Sequence, residues 1–427
     1  MNSAVILFGL FVVLLLCNVS IAVSLGVSAL VSCMVSVFSV SSLPVNAYAA
    51  THKYSLLAIP FFILAGNVME KAGISEKLIE LCRTCVGHLR SGLAIVCVIT
   101  CCFFAAISGS GPATVAALGV ILIPAMVAAG YRPSFAAALM ASGGAIGVII
   151  PPSVTFIVYG CISGASVASL FMAGFLPGIL MGLALVVCSL FMSKKQDIIL
   201  LPKASRKERL IALKDAIWAL MMPVIILGGI YGGIFTPTEA AAVSAVYGIL
   251  VGAFVYKKMS LKELIKSVTS ASGSTGQVMF VMISASMFAY MVQVNGLVTT
   301  IGRWLEAVSG GNVYVFLLIC NLILLLAGMV MDAVSALYIF VPILLPVALQ
   351  MGYNITAFGI MICVNLAIGL VTPPVGVNLY VGCSIAKVKM NDIIKDVFPM
   401  ILALLAVLII VTYIPGISML LPNLLNG

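Results

Sequence analysis

Charged side chains are scarce in this chain of 427 residues, since aspartate, glutamate, lysine and arginine together account for 8% of it. A soluble globular domain carries roughly a quarter of its residues as charges. Hydrophobic residues make up 63% of the chain, so most of its surface has to face lipid rather than water. This composition excludes an ordinary soluble enzyme and predicts a protein that crosses a membrane several times.

Histidines and enzyme motifs are also nearly absent. The sequence has two histidines, His52 and His88, and contains no Walker A loop, no HExxH helix and no nucleophile elbow. Many of the twelve cysteines lie inside apolar runs, where a free cysteine usually serves as a small packing residue. We therefore expect no ATP hydrolysis, no covalent catalysis and no enzyme activity.

The basic excess, a formal net charge of +9, is not distributed like a nucleic-acid-binding surface. The lysines and arginines fall in short gaps between apolar runs, which is typical of cytoplasmic loops in membrane proteins. Residues 193–215 and 257–266 are strongly basic gaps, and we place both on the cytoplasmic side. Membrane lipid is therefore an expected partner, and nucleic acid is not.

Eight apolar stretches approach the length of about 20 residues that a membrane-spanning helix needs. These simple spans are predicted at 2–17, 20–42, 55–71, 168–192, 216–235, 238–256, 268–292 and 396–424. Three longer stretches are interrupted by clusters of glycine, proline and serine, and they are 88–128, 134–165 and 312–386.

Counting spans outward from the two basic gaps gives the expected sidedness. Residues 88–128 enter and leave the membrane on the cytoplasmic side, whereas 312–349 enter and leave on the opposite side. Each stretch is therefore predicted to form a re-entrant hairpin. The repeat described next also places residue 1 outside, together with His52 and Lys53, against the usual charge bias.

The irregular stretches recur in the second half at an offset of 222 residues. Matched glycines and prolines are informative because such matches are rare by chance in a lipid-facing sequence. They include Gly130/Gly352, Gly147/Gly369, Pro124/Pro346, Pro151/Pro373 and Pro152/Pro374. With the opposite sidedness, the offset predicts an all-α polytopic membrane protein, built as an inverted-topology repeat with two re-entrant helical hairpins and two broken helices.

This architecture is common among secondary transporters. The first repeat is predicted to cover 1–192, a basic cytoplasmic loop to cover 193–215, and the second repeat to cover 216–427.

Polar groups at membrane depth concentrate at the predicted hairpin tips and helix breaks. Irregular backbone survives there only when it is buried in protein or lines a watery cavity. The first tip, 108–114, offers hydroxyls, glycines and a proline suited to starting a helix. The two breaks, 147–153 and 369–375, carry no carboxylate, so a Na⁺ ion held there would need backbone carbonyls and hydroxyls.

Asp332 is the only acidic residue between Glu306 and Asp392, and it falls at the second predicted tip. An acid at membrane depth is a functional candidate, but aspartate is also among the best helix N-cap residues, and both roles stay open. Asn365 and Asn378 flank the second break, where they could reach a polar substrate or cap freed backbone.

Five long strings carry a family resemblance: SGSGPATVAALGVILIPAM, YRPSFAAALMASGGAIGVIIPPS, GGIYGGIFTPTEAAAVSAVYG, GMVMDAVSALYIFVPILLPV and LAIGLVTPPVGVNLYV. They resemble the large membrane subunit of tripartite ATP-independent periplasmic (TRAP) transporters, and the resemblance covers essentially the whole chain. It implies uptake of organic acids across the bacterial inner membrane, driven by a Na⁺ gradient.

The resemblance also implies two protein partners, a soluble periplasmic substrate-binding protein and a small membrane subunit of about four helices, expected here as a separate chain. An elevator mechanism is implied. Transport elements at 88–165 and 312–386 would then move against scaffold spans at 1–71 and 216–292, with a terminal span at 396–424.

At least two Na⁺ sites are implied, each between a hairpin tip and the break that follows it. The residues implied for the first site are Ser108, Gly147 and Ser153. Those implied for the second are Gly328, Gly369, Thr372 and the carbonyl of Val375. The substrate carboxylate is expected near Ser110, Pro112, Thr114 and Asp332.

Overall similarity favours sialic acid (N-acetylneuraminate) as the substrate, ahead of four-carbon dicarboxylates and keto acids. The alternative function is a stand-alone Na⁺/carboxylate symporter of the divalent-anion type, which would need no binding protein. A channel is disfavoured, because the sequence contains no recognisable selectivity filter.

Overall fold

The computed structural model describes residues 3–194 and 196–426, and within these ranges the chain is helical, without strands. Seven of these helices are long and apolar enough to cross a membrane. The number becomes eight if Tyr54–Lys71 and Ile74–Val86, bent by 67° at their junction, count as one span. The all-α, multi-pass class predicted from the sequence is confirmed.

Up to residue 194, the described part of the first half contains ten α-helices and one 3₁₀ turn, Tyr54–Leu57. The helices are α1 (Ser3–Leu16), α2 (Ile21–Val35), α3 (Ser42–Thr51), α4 (Ala58–Lys71), α5 (Ile74–Val86), α6 (Gly92–Ser108), α7 (Gly111–Ala128), α8 (Pro133–Ile146), α9 (Val154–Ser163) and α10 (Val167–Ser193).

The second half, described from residue 196 to residue 426, contains ten further α-helices and a π-helical turn, Val251–Val255. The helices are α11 (Arg206–Tyr231), α12 (Pro237–Leu250), α13 (Leu261–Val294), α14 (Leu297–Ser309), α15 (Val313–Gly328), α16 (Ala333–Gln350), α17 (Ile355–Gly369), α18 (Val377–Ala386), α19 (Met390–Tyr413) and α20 (Pro415–Asn426).

The internal repeat is visible in the helix boundaries. Helices α6 to α10 correspond in order to α15 to α19, and their ends agree with the 222-residue offset to within two residues. The pairs α6–α7 and α15–α16 are the two predicted hairpins, and α8–α9 and α17–α18 are the two predicted broken helices. Each break contains a cis Pro–Pro bond, Pro151–Pro152 in one and Pro373–Pro374 in the other.

The two halves are interlocked through the second segments of their broken helices. Helix α9 packs against α16 and α17 of the second half, while α18 packs against α7 and α8 of the first. At the first of these crossings the Tyr159 hydroxyl donates to the Ile355 carbonyl at 2.7 Å. A Cβ at Gly359 would lie 2.3 Å from the Tyr159 ring, so this close approach requires glycine.

The helices form two groups. The outer group comprises α1 to α4 and α11 to α13, which pack mainly on one another, while the core group comprises the hairpins, the broken helices, α10, α19 and α20. Two amphipathic helices, α5 and α14, connect the outer group to the hairpins. Lys77 and Glu76 of α5 are paired with Asp215 at 2.7 Å and with Lys258 at 2.6 Å, which ties α5 to the outer group.

Two predicted boundaries are corrected by the structure. The terminal span predicted at 396–424 is two helices, α19 and α20, because Pro415 lacks the N–H that would continue α19 and instead begins a new helix. The basic loop predicted at 193–215 is shorter, because the Ser205 hydroxyl and the Glu208 carboxylate form a capping box that starts α11 at Arg206.

Lys53 lies on the side predicted to be external, although basic residues are usually in excess on the cytoplasmic side. Its structural role accounts for this exception. Its ammonium donates to the Cys161 carbonyl in the last turn of α9. The last carbonyls of a helix lack intrahelical partners and carry partial negative charge, so a lysine there is stabilising. At the start of α12, Thr236 and Glu239 form a capping box.

Candidate functional site

A cavity of about 860 Å³ lies between the hairpin tips and the outer group. The core group contributes both tips, at 108–113 and 328–334, together with residues of both breaks. The outer group contributes the start of α2, one face of α4 and one face of α13. The two tips, 222 residues apart in the chain, therefore meet at one site.

The first tip is shaped by Gly109, which ends α6 in the left-handed region at φ 60°. Ser110 then adopts extended backbone, and Pro112 lies in the first turn of α7, where its missing N–H has no cost. A Cβ at Gly109 would lie 2.7 Å from the Pro152 carbonyl oxygen. The tip therefore rests directly on the first break, as predicted.

Hydroxyl and carbonyl oxygens are concentrated where the first tip meets the first break. The Ser108 hydroxyl lies 2.8 Å from that of Thr114, which donates to the Ser110 carbonyl at 2.8 Å. The Ser153 hydroxyl bonds to the Val148 carbonyl. Gly147 packs against the same tip, since a Cβ there would lie 2.7 Å from the Thr114 hydroxyl.

The second tip is organised by Asp332. Its carboxylate caps α16 by accepting from the Ser335 N–H at 3.1 Å and from the Ser335 hydroxyl at 2.6 Å. Asp332 also lines the cavity. The predicted capping role is thus confirmed.

Gly328 and Gly369 join the second tip to the second break by backbone contact. A Cβ on Gly369 would lie 2.5 Å from the Gly328 Cα. Nearby, the Thr372 hydroxyl donates to the Ile368 carbonyl at 2.7 Å, and Val375 lines the cavity. This junction offers mostly backbone oxygens, whereas the first junction also offers several side-chain hydroxyls.

Three residues predicted to contact substrate lie away from the cavity wall. Thr114 is buried beneath the first tip. Asn365 is fully buried and donates to the Asn321 carbonyl at 3.0 Å and to its side-chain oxygen at 2.8 Å. Asn378 is also fully buried and donates to the Ala141 carbonyl at 3.1 Å. The two asparagines form hydrogen bonds between helices, and neither lines the cavity.

The predicted tip–break junctions fit a hard monovalent cation through oxygen ligands alone. At the first junction the residues that would hold Na⁺ are Ser108, Gly147 and Ser153. At the second they are Gly328, Gly369, Thr372 and Val375. Across residues 3–194 and 196–426, no group of three or more histidines, cysteines, aspartates or glutamates comes together to hold a metal ion.

Sequence reasoning missed the outer wall of the cavity and one hydroxyl of the core wall. Asn67 and Glu70 on α4, together with Ser274 and Gln277 on α13, line the cavity from the outer group. Thr155, whose hydroxyl lies 2.7 Å from that of Ser153, lines it from the core group. Asn67 and Glu70 are three residues apart within an apolar span, and so are Ser274 and Gln277. This spacing puts the two members of each pair on one helix face, and it was the signal by which the sequence could have revealed the outer wall.

Two features of this cavity favour a negatively charged ligand. Helices α7 and α16 both begin at the cavity wall, where helix N-termini carry partial positive charge, and the Asp332 carboxylate already caps the N-terminus of α16. The adjoining oxygen-rich junctions could supply bound cations. Broken helices and hairpin tips that converge on a cavity between two helix groups define a secondary transporter.

Comparison with known proteins identifies the kind of transporter. The family model described as "Tripartite ATP-independent periplasmic transporter, DctM component" matches residues 8–417. The chain belongs to this family, so it is a transporter subunit of the bacterial inner membrane and not an enzyme.

Two relatives are more than 40% identical to this chain. An isethionate TRAP transporter permease protein of Oleidesulfovibrio alaskensis is 44% identical over 97% of this chain, which spans 65% of that relative's length. A C4-dicarboxylate TRAP transporter large permease protein of Pseudomonas aeruginosa is 42% identical over 94% of each chain. Relatives named for sialic acid and for 2,3-diketo-L-gulonate are each 38% identical.

The fold is shared with a solved structure of low sequence identity. The Alcanivorax borkumensis YdaH transporter has a TM-score of 0.65 at 15% identity, covering 97% of this chain and 98% of its own. At this identity the likeness concerns the fold alone.

Proposed function

We propose that this chain imports an organic acid anion together with Na⁺, receiving the anion from a periplasmic substrate-binding protein and working with a small membrane subunit. The observation that carries the proposal is the convergence of both hairpin tips on one cavity, with an oxygen-rich junction behind each tip. Membership of a tripartite family supports the need for both partners.

In this proposal Na⁺ binds first, at the two tip–break junctions. Because each junction joins a hairpin to a broken helix, a bound cation would hold the tips in the conformation that presents the N-termini of α7 and α16. Those N-termini would then hold the anionic group of the substrate. Na⁺ and substrate would thus be coupled through the shape of the tips and through their opposite charges.

Translocation is proposed to be an elevator movement. The core group would carry Na⁺ and substrate past the outer group, and the connecting helices α5 and α14 would change their angles. The existing division into two helix groups supports this step, because the cavity lies between them.

The transported acid is proposed within the family's range. Sialic acid, favoured from the sequence, is one candidate, and four-carbon dicarboxylates and keto acids are others. The names of the relatives include a dicarboxylate, isethionate, sialic acid and a diketo sugar acid, so the family alone leaves the choice open.

The test is reconstitution of the chain in liposomes with its small subunit and matched binding protein, using labelled substrate. We expect uptake that requires both the binding protein and an inward Na⁺ gradient. Uptake without the binding protein would instead support the stand-alone symporter. Uptake that is indifferent to the Na⁺ gradient would contradict the proposed coupling.

A further inference from the structure

The charged side chains that line the cavity are both acidic. They are Asp332 on the second tip and Glu70 on α4. Within the ranges 3–194 and 196–426, no lysine, arginine or histidine lines the cavity. Lys71 follows Glu70 in the chain but is outside the cavity lining. An anionic substrate therefore meets two carboxylates here and no cationic side chain.

Glu70 is close to the place where the first tip contacts the outer group. Ile63, Gly66, Asn67 and Glu70 form a single stripe along the cavity face of α4. A Cβ at Gly66 would lie 3.4 Å from the Ser108 Cα, so this stripe touches the tip. Glu70 follows Gly66 by about one helical turn, or roughly 6 Å along the axis. Glu70 is exposed and lines the cavity.

The other polar side chains of the outer wall are uncharged. Asn67 lines the cavity, and its side-chain N–H₂ group has no hydrogen-bond partner among the described residues. Gln277 and Ser274 lie opposite on α13. Amides and hydroxyls of this kind pair well with substrate hydroxyls or amides, because both sides can donate and accept.

The balance of charge sets how negative a substrate can be. Helix ends of both signs meet at the two tips, since α6 and α15 end where α7 and α16 begin, so their partial charges largely offset one another. The two proposed Na⁺ ions then offset the two carboxylates. A monoanion adds one negative charge to this balance, and a dianion adds two with no cationic side chain to meet the second.

We infer that the cavity selects a monoanion with a hydroxyl- or amide-bearing body, held against Asn67 and Gln277, and that Glu70 rejects dianions. A second carboxylate would be placed near Glu70 without a cation to meet it. This inference rests on the proposed function, because it counts the two Na⁺ ions.

The experiment measures binding to the purified full-length chain by thermal shift and by isothermal titration. The probes are gluconate and isethionate as hydroxylated monoanions and succinate as a dianion, each in NaCl or choline chloride at equal ionic strength. We expect the monoanions to bind about tenfold more tightly than succinate in Na⁺. Glu70→Gln should remove most of that difference by improving succinate binding.

The matched control is Glu80→Gln, which removes an exposed carboxylate of α5 that is paired with Arg83 and lies outside the cavity lining. It should leave the preference unchanged. Succinate binding as tight as gluconate in the unaltered chain, or a preference that survives Glu70→Gln, would overturn the inference. No binding of any of the three anions would overturn it as well.

Failure of the proposed function would look different. If NaCl stabilised the protein no more than choline chloride did, Na⁺ coupling would be contradicted, and the charge balance that includes the two Na⁺ ions would be lost with it. If NaCl did stabilise the protein but succinate bound as tightly as gluconate, the inference alone would be overturned.

Discussion

At the scale of single residues, the most informative polar contact outside the cavity joins Arg132 to Asp396. The Arg132 guanidinium donates to Asp396 at 2.6 Å, and the Ser134 hydroxyl donates to the same carboxylate at 2.6 Å. The Asp396 side chain is 6% exposed, and that of Arg132 is 58% exposed. The contact ties the start of α8 to α19.

The two partners should therefore respond unequally to substitution. Arg132→Gln leaves a buried carboxylate held only by Ser134, whereas Asp396→Asn leaves an arginine that water can still reach. We expect Arg132→Gln to lower the free energy of unfolding by about 2 kcal/mol, a value reduced from that of a fully buried pair because the arginine is exposed. Asp396→Asn should lower it by less. Thermal unfolding of the two variants in detergent measures the order, and the opposite order would contradict this view of the pair.

At the scale of helices and their junctions, the repeat makes two sites of similar backbone shape but unlike chemistry. The hydroxyl residues of the first junction have apolar mates at the 222-residue offset. These pairs are Ser108/Val330, Thr114/Ala336, Ser153/Val375 and Thr155/Val377. The proposed first Na⁺ site can therefore use side-chain oxygens, and the second has to rely on backbone carbonyls and Thr372.

This difference predicts unequal effects of symmetry-related substitutions. Ser153→Ala should weaken Na⁺ binding by about tenfold, because it removes one oxygen ligand and leaves its partners unpaired. The matched control is Val375→Ala, at the position equivalent to Ser153 in the second repeat. It should change Na⁺ binding less than about twofold. Na⁺ titration of protein stability measures both. Equal effects would indicate that neither side chain contributes to a cation site.

The elements that sequence analysis recovered are those with strong local signals. Glycine and proline clusters marked the tips and breaks, because these residues permit or force irregular backbone wherever they occur. Helices α5 and α14 were missed because charged residues such as Glu76, Lys77 and Arg303 made them resemble gaps between spans. They are amphipathic helices with one polar face, and their partners lie far away in the chain.

The outer wall of the cavity was missed for a related reason. Asn67 and Glu70 belong to no motif, and their importance depends on α4 facing a tip that begins 38 residues later in the chain. Such a meeting of elements depends on tertiary packing. The same is true of Asn365 and Asn378, which are near the break in sequence but are turned into the protein interior.

At the scale of the whole molecule, the elevator proposal requires the core and outer groups to slide past each other. Lys53 joins them on the side predicted to be external, through its bond to the Cys161 carbonyl. We expect that Lys53→Cys, joined to the native Cys161 by a reducible bifunctional thiol reagent in a background without other cysteines, will abolish uptake, and that reduction will restore it.

The matched control is a cross-link within the outer group. A Cβ at Gly26 would lie 3.3 Å from the Ser284 hydroxyl, so a cysteine pair at these positions can be joined without spanning the two groups. This cross-link should leave uptake largely intact. Full transport by the protein with the Lys53→Cys cross-link would rule out relative movement at that contact.

The exchange of α9 and α18 between the halves sets a condition on any one-repeat version of this fold. Each half depends on its sister to cover one segment of its broken helix, so a single half would leave that segment without its packing partner in lipid. A one-repeat protein would therefore have to assemble as two copies inserted in opposite directions, each lending a half-helix to the other. Joining the halves in one polypeptide frees the two tip–break junctions to carry different side chains, as Ser153 and Val375 do.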